Sequence, residues 1–305
     1  MDGFFLKNEV RMTIKQSFME QSLVKDYKTR PIEVLNYVLD RFAKSKYAFK
    51  FGKQVATMNV IGFQVHQDIQ SYDFYTPDTN YSQSWSMSPF ITTKQRIYDH
   101  KDGTLSVYSA NGGKLMDDAV EEKMDYDTFI MKYGKLPKRE YKVINRFTSK
   151  ENRIHDAYLY PESNQNQTSR IIFGSLIYDI REDTIKQAKL TEDENGYLLD
   201  FELDVRYALD YYASQMMNTG SLFEPPKFFS SHVSIYFDKD GNLTKVKCHD
   251  EFSGKTGFIS AKVSMESLLL YFTSENEVFE YNGKKEKLEV PTPHSPFNAN
   301  DLFQS

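Results

Sequence analysis

Apolar and polar positions along this chain follow two rhythms, and the change between them falls near Tyr47. From Pro31 the apolar residues Ile32, Leu35, Val38, Leu39 and Phe42 recur at the 3.6-residue spacing of one helical face. Thr29 or Arg30 stands at the cap, and Pro31 suits the first turn, where its missing N–H would have had no partner. This helix is expected to end near Lys46. Beyond it the period becomes two. Tyr47, Phe49 and Phe51 alternate with Ala48, Lys50 and Gly52, and Phe63, Val65 and less cleanly Ile69 keep the step. The polar-aromatic run from Asn80 to Ser88 alternates as well. Lys94 to Tyr108 reads as a hairpin turning at Asp102-Gly103. Residues 47–110 are therefore predicted to form a meander of consecutive antiparallel strands, since neighbours in such a chain usually pair.

The rhythm breaks at Asn111-Gly112-Gly113. In residues 115–133, Met116, Val120, Met124, Phe129 and Ile130 predict a helix whose first turn is acidic. Strands are expected at 140–149 and 153–160, and the polar stretch 161–169 is a loop and a candidate domain boundary. Arg170 to Ile180 reads as a strand. Gly196 to Leu203 reads as another, with Tyr197, Leu199, Phe201 and Leu203 on one face. Val205 to Met217 reads as a helix. His232 to His249 is a second hairpin, whose Asp238–Asn242 tip supplies residues that tolerate positive φ. Three domain-level segments result: an arm or short helix at 1–30, one α+β domain at 31–290, and a loosely held tail at 291–305, where Pro291, Pro293 and Pro296 cluster.

Composition sharpens this reading. The chain of 305 residues holds 23 Phe and 21 Tyr but one Trp. Phe and Tyr favour strands and suit surfaces that are apolar at one end and wet at the other. A net charge of −5 lacks the basic footprint of a nucleic-acid binder. No apolar run is long enough for a transmembrane helix. One cysteine, Cys248, excludes an intrachain disulfide and a multi-cysteine metal site. A reducing cytoplasm fits that usage, as does the outside of a bacterium that does not rely on disulfides. The opening residues do not read as a signal peptide.

Candidate chemistry is sparse. The six histidines form no HxH or HxxxH pair. His66 and Asp68 would share a strand face, whereas the neighbours Cys248 and His249 would point to opposite faces and could not form a thiolate–imidazole pair. Asp238-Lys-Asp240-Gly-Asn242 resembles the start of a calcium loop, but its glycine is at the fourth position, not the sixth, so a hairpin tip is expected. No phosphate-binding glycine motif or nucleophile elbow occurs. A non-catalytic protein without a cofactor is the expectation. A cleft gathering two or more of His66, Asp68, His249 and Asp250 with shifted pKa values would point to an enzyme instead.

Residues 31–72 and 196–252, above all the strand Gly196–Leu203 and the hairpin arms Val233–Phe237 and Leu243–Lys247, give an order of helix, strands, helix and hairpin that resembles the LolA/LppX-like envelope lipoproteins. The resemblance implies an α+β fold: a strongly curved antiparallel β-sheet forming a half-barrel, with an N-terminal helix and one or two helices covering its concave face. It implies an extracytoplasmic location in the cell envelope, with any leader preceding Met1, and a groove for a lipid or other hydrophobic ligand, with an envelope protein as a further candidate partner. No catalytic set is carried over. The groove candidates are the alternating rings Phe49, Phe51, Phe63, Tyr72, Trp85, Tyr98 and Tyr108, because a curved sheet must cover something on its inner face. The alternative is a scaffold protein in which the same face is an ordinary filled core.

Overall fold

The computed structural model describes residues 30–77, 80–89, 92–100, 102, 104–112, 119–129, 142–144, 158–160, 170–218, 224–256, 259–281, 284–287 and 289–294. The expected N-terminal arm, the loop at 161–169 and the tail beyond His294 lie outside the described residues.

Helix α1 (Pro31–Lys44) begins at Arg30 and buries Val34, Leu35, Val38, Leu39 and Phe42, the spaced apolar face read from the sequence. The meander follows as β1 (Tyr47–Val60), β2 (Phe63–Tyr75), β3 (Asn80–Met87), β4 (Thr92–Asp99), β5 (Thr104–Asn111) and β6 (Glu121–Asp125). After the short helix α2 (Tyr126–Phe129) come β7 (Lys142–Ile144), β8 (Tyr158–Tyr160), β9 (Arg170–Phe173) and β10 (Leu176–Asp179). The alternation then resumes in β11 (Ile185–Glu192) and β12 (Gly196–Leu203), followed by α3 (Val205–Ala208) and α4 (Asp210–Asn218). Three long strands follow, β13 (Glu224–Asp238), β14 (Leu243–Thr256) and β15 (Ile259–Ser274), and then the small hairpin β16 (Val278–Tyr281) and β17 (Lys284–Lys287).

One antiparallel sheet of eleven strands organises the molecule, in the order β11-β12-β13-β14-β15-β1-β2-β3-β4-β5-β6. Two sequential ribbons are joined by a single non-sequential ladder between β15 and β1, from Tyr47 opposite Ser274 to Val60 opposite Ala261. The edge strands β11 and β6 do not pair, so the sheet is open. A four-stranded sheet, β10-β9-β8-β7, is made from the excursion between the two edges.

Register assigns every side chain to a face. On one face, β1 presents the small residues Ala48, Gly52 and Ala56, which leaves room for other layers to approach. There α1 packs with Val246, Leu269 and Tyr271, and Phe42 lies edge-on to Tyr75 and Tyr271 at 5.9 and 5.0 Å between ring centres. β9, β10, α3 and α4 join the same apolar cluster. The opposite face of β1 carries Tyr47, Phe49 and Phe51, which pack among other rings. The helices and the rings thus occupy opposite faces, which corrects the expectation that helices cover the ring-bearing face: small residues admit a helix, and bulky rings fill their own space.

Three further expectations change. The helix expected over 115–133 is, where it is described, a strand over Glu121–Asp125 followed by the single helical turn Tyr126–Phe129. Glu121, Lys123 and Asp125 are exposed, Glu121 accepting from the Ser106 hydroxyl, while Met124 pairs opposite Leu105, because the free edge of β5 offers ladder partners that an isolated helix lacks. The run 170–180 is a hairpin, turned by Gly174 at φ +65°. The helix at 205–217 is two helices, broken at Leu209.

Candidate functional site

The ring face of the N-terminal ribbon assembles most of the candidates. Phe49 pairs opposite Phe74 and Phe51 opposite Tyr72. Gln70 pairs opposite Trp85, Tyr81 opposite Tyr98, and Arg96 opposite Tyr108. Directly opposed residues in an antiparallel pair share a face, so Phe49, Phe51, Tyr72, Trp85, Tyr98 and Tyr108 all stand on one side. Ring centres lie 5.2 Å apart for Phe51 and Tyr72, 5.0 Å for Tyr81 and Tyr98, and 5.8 Å for Tyr98 and Tyr108. Phe63 is the exception. It lies on the same unbroken strand as Tyr72 but an odd number of positions away, so it points to the other face, and at the hairpin end it is 75% exposed.

The chain itself covers this bank of rings. Phe279 of β16 joins Phe49 at 6.2 Å, and Val290 packs beside it. Residues 291–294, part of the stretch expected to be loose, run across β4 and β5. The Tyr98 hydroxyl donates to the Pro291 carbonyl at 2.6 Å, and Arg96 Nη1 donates to the carbonyls of Thr292 and Pro293 at 2.9 and 3.0 Å. His294 meets the Tyr108 ring edge-on. Arg96 is fully buried, and its Nε donates to Gln83 Oε1, which also accepts from the Tyr81 hydroxyl. Burial pushes the Tyr98 phenol up to about 12, against the pull of Arg96, and raises Tyr81 further. Both phenols therefore stay neutral donors. No local pattern marks this anchor: Lys94–Tyr108 reads only as a hairpin, and register shows that Arg96 lies among rings.

On the same face, the neighbouring strands leave space. A groove of about 540 Å³ is lined by Lys53 and Val55 of β1, His232 and Ser234 of β13, Lys247 to His249 of β14 and Glu266 to Leu268 of β15. Its lining comes from four adjacent strands of one sheet. The register sorts the lining into rows. Lys53, Leu268, Lys247 and Ser234 form one row, and Val55, Glu266, His249 and His232 form the next. Lys53 and Lys247 are two strands apart, about 10 Å between backbones, and neither forms an ion pair with the described residues. His249 faces Glu266 and Glu251 at 3.8 and 3.9 Å, beyond hydrogen-bonding reach. The row of Lys53 continues through Gln70 to Trp85, so the groove adjoins the ring bank.

Of the four residues whose gathering would have pointed to catalysis, only His249 lines the groove. His66 bonds Thr57 on the ring face, through its Nδ1 at 3.1 Å. Asp68 stands opposite Val55. Asp250 points the other way, into the core. There it accepts hydrogen bonds from the hydroxyls of Tyr178 and Ser231, each at 2.6 Å. Burial pushes its carboxyl up to about 6, although both hydroxyls favour the charged form. Cys248 is buried on that side as well, separated from His249 as strand alternation requires. The Asp238 carboxylate is spent on its own turn, accepting from the backbone N–H groups of Asp240 and Asn242 and from the Asn242 amide, so the tip is a hairpin turn rather than a calcium loop. Among the described residues no cluster of three or more His, Cys, Asp or Glu is placed to hold a metal, and no helix is long and apolar enough to cross a membrane.

No family model and no curated protein matches the chain. Among solved structures it is similar to the ywiB protein from Bacillus subtilis, at 8% identity and TM-score 0.18 over 74% of this chain and 92% of that one. It is similar too to a DUF1329 family protein from Desulfovibrio piger, at 8% identity and TM-score 0.24 over 78% and 92%. Neisserial surface protein A aligns at 4% identity and TM-score 0.17, over 74% and 97%. At such scores these likenesses define neither a family nor a function.

Proposed function

We propose that this chain is a non-catalytic binding protein of the bacterial cell envelope that holds an amphipathic, anionic lipid in the groove beside its ring bank. The observation that carries the reading is the row Lys53, Leu268, Lys247: two ammonium groups without ion-pair partners among the described residues flank an apolar side chain in the groove. A carboxylate or phosphate head would bridge the lysines. Its chain would lie on Val55 and Leu268 toward the rings. Pockets of this volume, with a few converging polar groups on an apolar wall, suit ligands of lipid or drug size. An open antiparallel sheet agrees with the half-barrel that the LolA/LppX-like resemblance implies.

A second reading has its own support. The rings are sealed by β16 and by residues 290–294, as in a scaffold with a filled core. The two readings separate on one experiment. Purified protein is extracted for bound lipid and titrated with a fluorescent fatty acid, using energy transfer from Trp85, the single tryptophan, two strands from Lys53. Binding that weakens about tenfold or more in Lys53→Glu with Lys247→Glu supports the groove. No extracted lipid and no saturable transfer would leave the scaffold reading.

A further inference from the structure

The turns of the large sheet fall at two rims of opposite character. At one rim the described residues that follow β2, β4, β11, β13 and β15 are polar residues, glycine or proline. At the other rim lie six of the seven large apolar side chains exposed among the described residues: Ile61, Phe63, Met87, Val120, Tyr207 and Phe229. They come from separate elements whose chain turns face one end at staggered levels: Ile61 and Phe63 stand foremost with Phe229 close behind, whereas the ladders set Met87 level with Val55 and Val120 beside Glu121, which is level with Phe51. Ile61 and Phe63 flank the β1–β2 turn, Met87 ends β3, and Val120 precedes β6. Tyr207 is in α3 after β12, and Phe229 is near the start of β13.

Ile61 has no folding rationale. It sits at φ +46°, followed by Gly62 at +82°, a turn that suits Asn-Gly and strains a β-branched residue. Its side chain is 74% exposed, so no packing offsets the strain. A side chain built on Gly62 would meet nothing within 4 Å, so the tip stands clear of the fold.

We propose that this rim docks on an anionic lipid bilayer, with Ile61 and Phe63 entering the acyl boundary. Prongs carried on separate turns do not make the packed, contiguous centre that a protein interface needs. A bilayer needs only the foremost side chains, Ile61 and Phe63, to reach its acyl boundary, with the others set further back. Exposed Lys227 and Lys262 stand just behind the tips, Lys262 opposite Asn59, where anionic headgroups would lie. A second groove of about 340 Å³, lined by Asn59, Phe229 and Lys262 among others, opens at this rim. Docking rests on the rim alone, and only the delivery of a bilayer lipid to the larger groove rests on the function proposed above.

The test is co-flotation of the full chain with vesicles of phosphatidylcholine and phosphatidylglycerol in equal parts. Wild type is expected to float. Ile61→Asp with Phe63→Asp should lower the partition coefficient about tenfold for each side chain changed, while Val278→Asp at the opposite rim should leave it unchanged. Phe63→Trp, in a Trp85→Phe background, should shift its emission to the blue on vesicles. Circular dichroism and retained fatty-acid binding by the tip variant would show that fold and groove survive, so a failure of docking is distinct from a failure of the groove. Absence of flotation, equal flotation of tip and control variants, or tip-dependent self-association without flotation would each overturn the proposal.

Discussion

Asp250 joins β14 to β13 through Ser231 and to the small sheet through Tyr178, and its protonation should report on that junction. Burial pushes its carboxyl from an ordinary 3.8 up to about 6. The folded chain therefore holds this proton about a hundredfold more tightly than the unfolded chain, a difference of about 3 kcal/mol. The sign follows from linkage. Below about pH 4 both states are protonated and the group's stabilising contribution is complete. Between about pH 4 and pH 6 the unfolded chain has released the proton and the native chain has not, so stability falls as pH rises, and above that window the loss is constant. Asp250→Asn removes the ionisation while keeping a carbonyl acceptor and an amide for the two hydroxyls. Urea melts of wild type and variant across pH 4.5 to 7.5 measure the difference, in which all other carboxylates cancel. The stability of the variant relative to wild type should rise by up to about 3 kcal/mol across the window and then level off. A difference that stays flat, or that moves toward wild type as pH rises, would refute the claim that burial outweighs the two hydrogen bonds.

Arg96→Leu should remove the guanidinium that donates to the carbonyls of Thr292 and Pro293 and one of the two donors to Gln83 Oε1, costing about 3 kcal/mol in denaturant melts and exposing the C-terminal segment to limited proteolysis. Ile61→Asn should raise stability by about 1 kcal/mol in thermal melts, because asparagine tolerates the left-handed backbone of the β1–β2 turn. Gly52→Ala should destabilise by about 1–3 kcal/mol, since its new carbon would lie 2.5 Å from Ser71 Oγ and 2.9 Å from a Leu269 methyl.

Local pattern carried much of this architecture. The His232–His249 hairpin was legible because alternation on both arms met an Asp-Gly tip, and Gly241 takes φ +80° there as such a tip requires. The same alternation placed six of seven ring candidates on one face. Phe63 escaped because parity was not carried along the whole of β2, although its odd spacing from Tyr72 was readable. The turn at Ile61-Gly62 escaped because isoleucine is a poor resident of that conformation, so no turn signal stood before the glycine. Other features had no local signal at all. The row Lys53, Leu268, Lys247 draws on three strands, two of them distant in sequence from the first, and exists only once β15 lies beside β1. The burial of Arg96 depends on a segment from the far end of the chain closing over it.

The β1–β15 ladder has a consequence for how the protein is made. All of β1 through β6 leaves the ribosome before Ile259, the first residue of the strand that will cover the outer edge of β1. Until then a nascent ribbon exposes the outer edge of the fourteen-residue strand β1, where alternate residues leave N–H and C=O groups without a strand partner, beside Phe49 and Phe51. Such an edge is a template for pairing with another chain, and closure over so long a sequence separation is slow. Early termination should therefore yield aggregates rather than a soluble half, and holding that edge apart during synthesis is work for a chaperone.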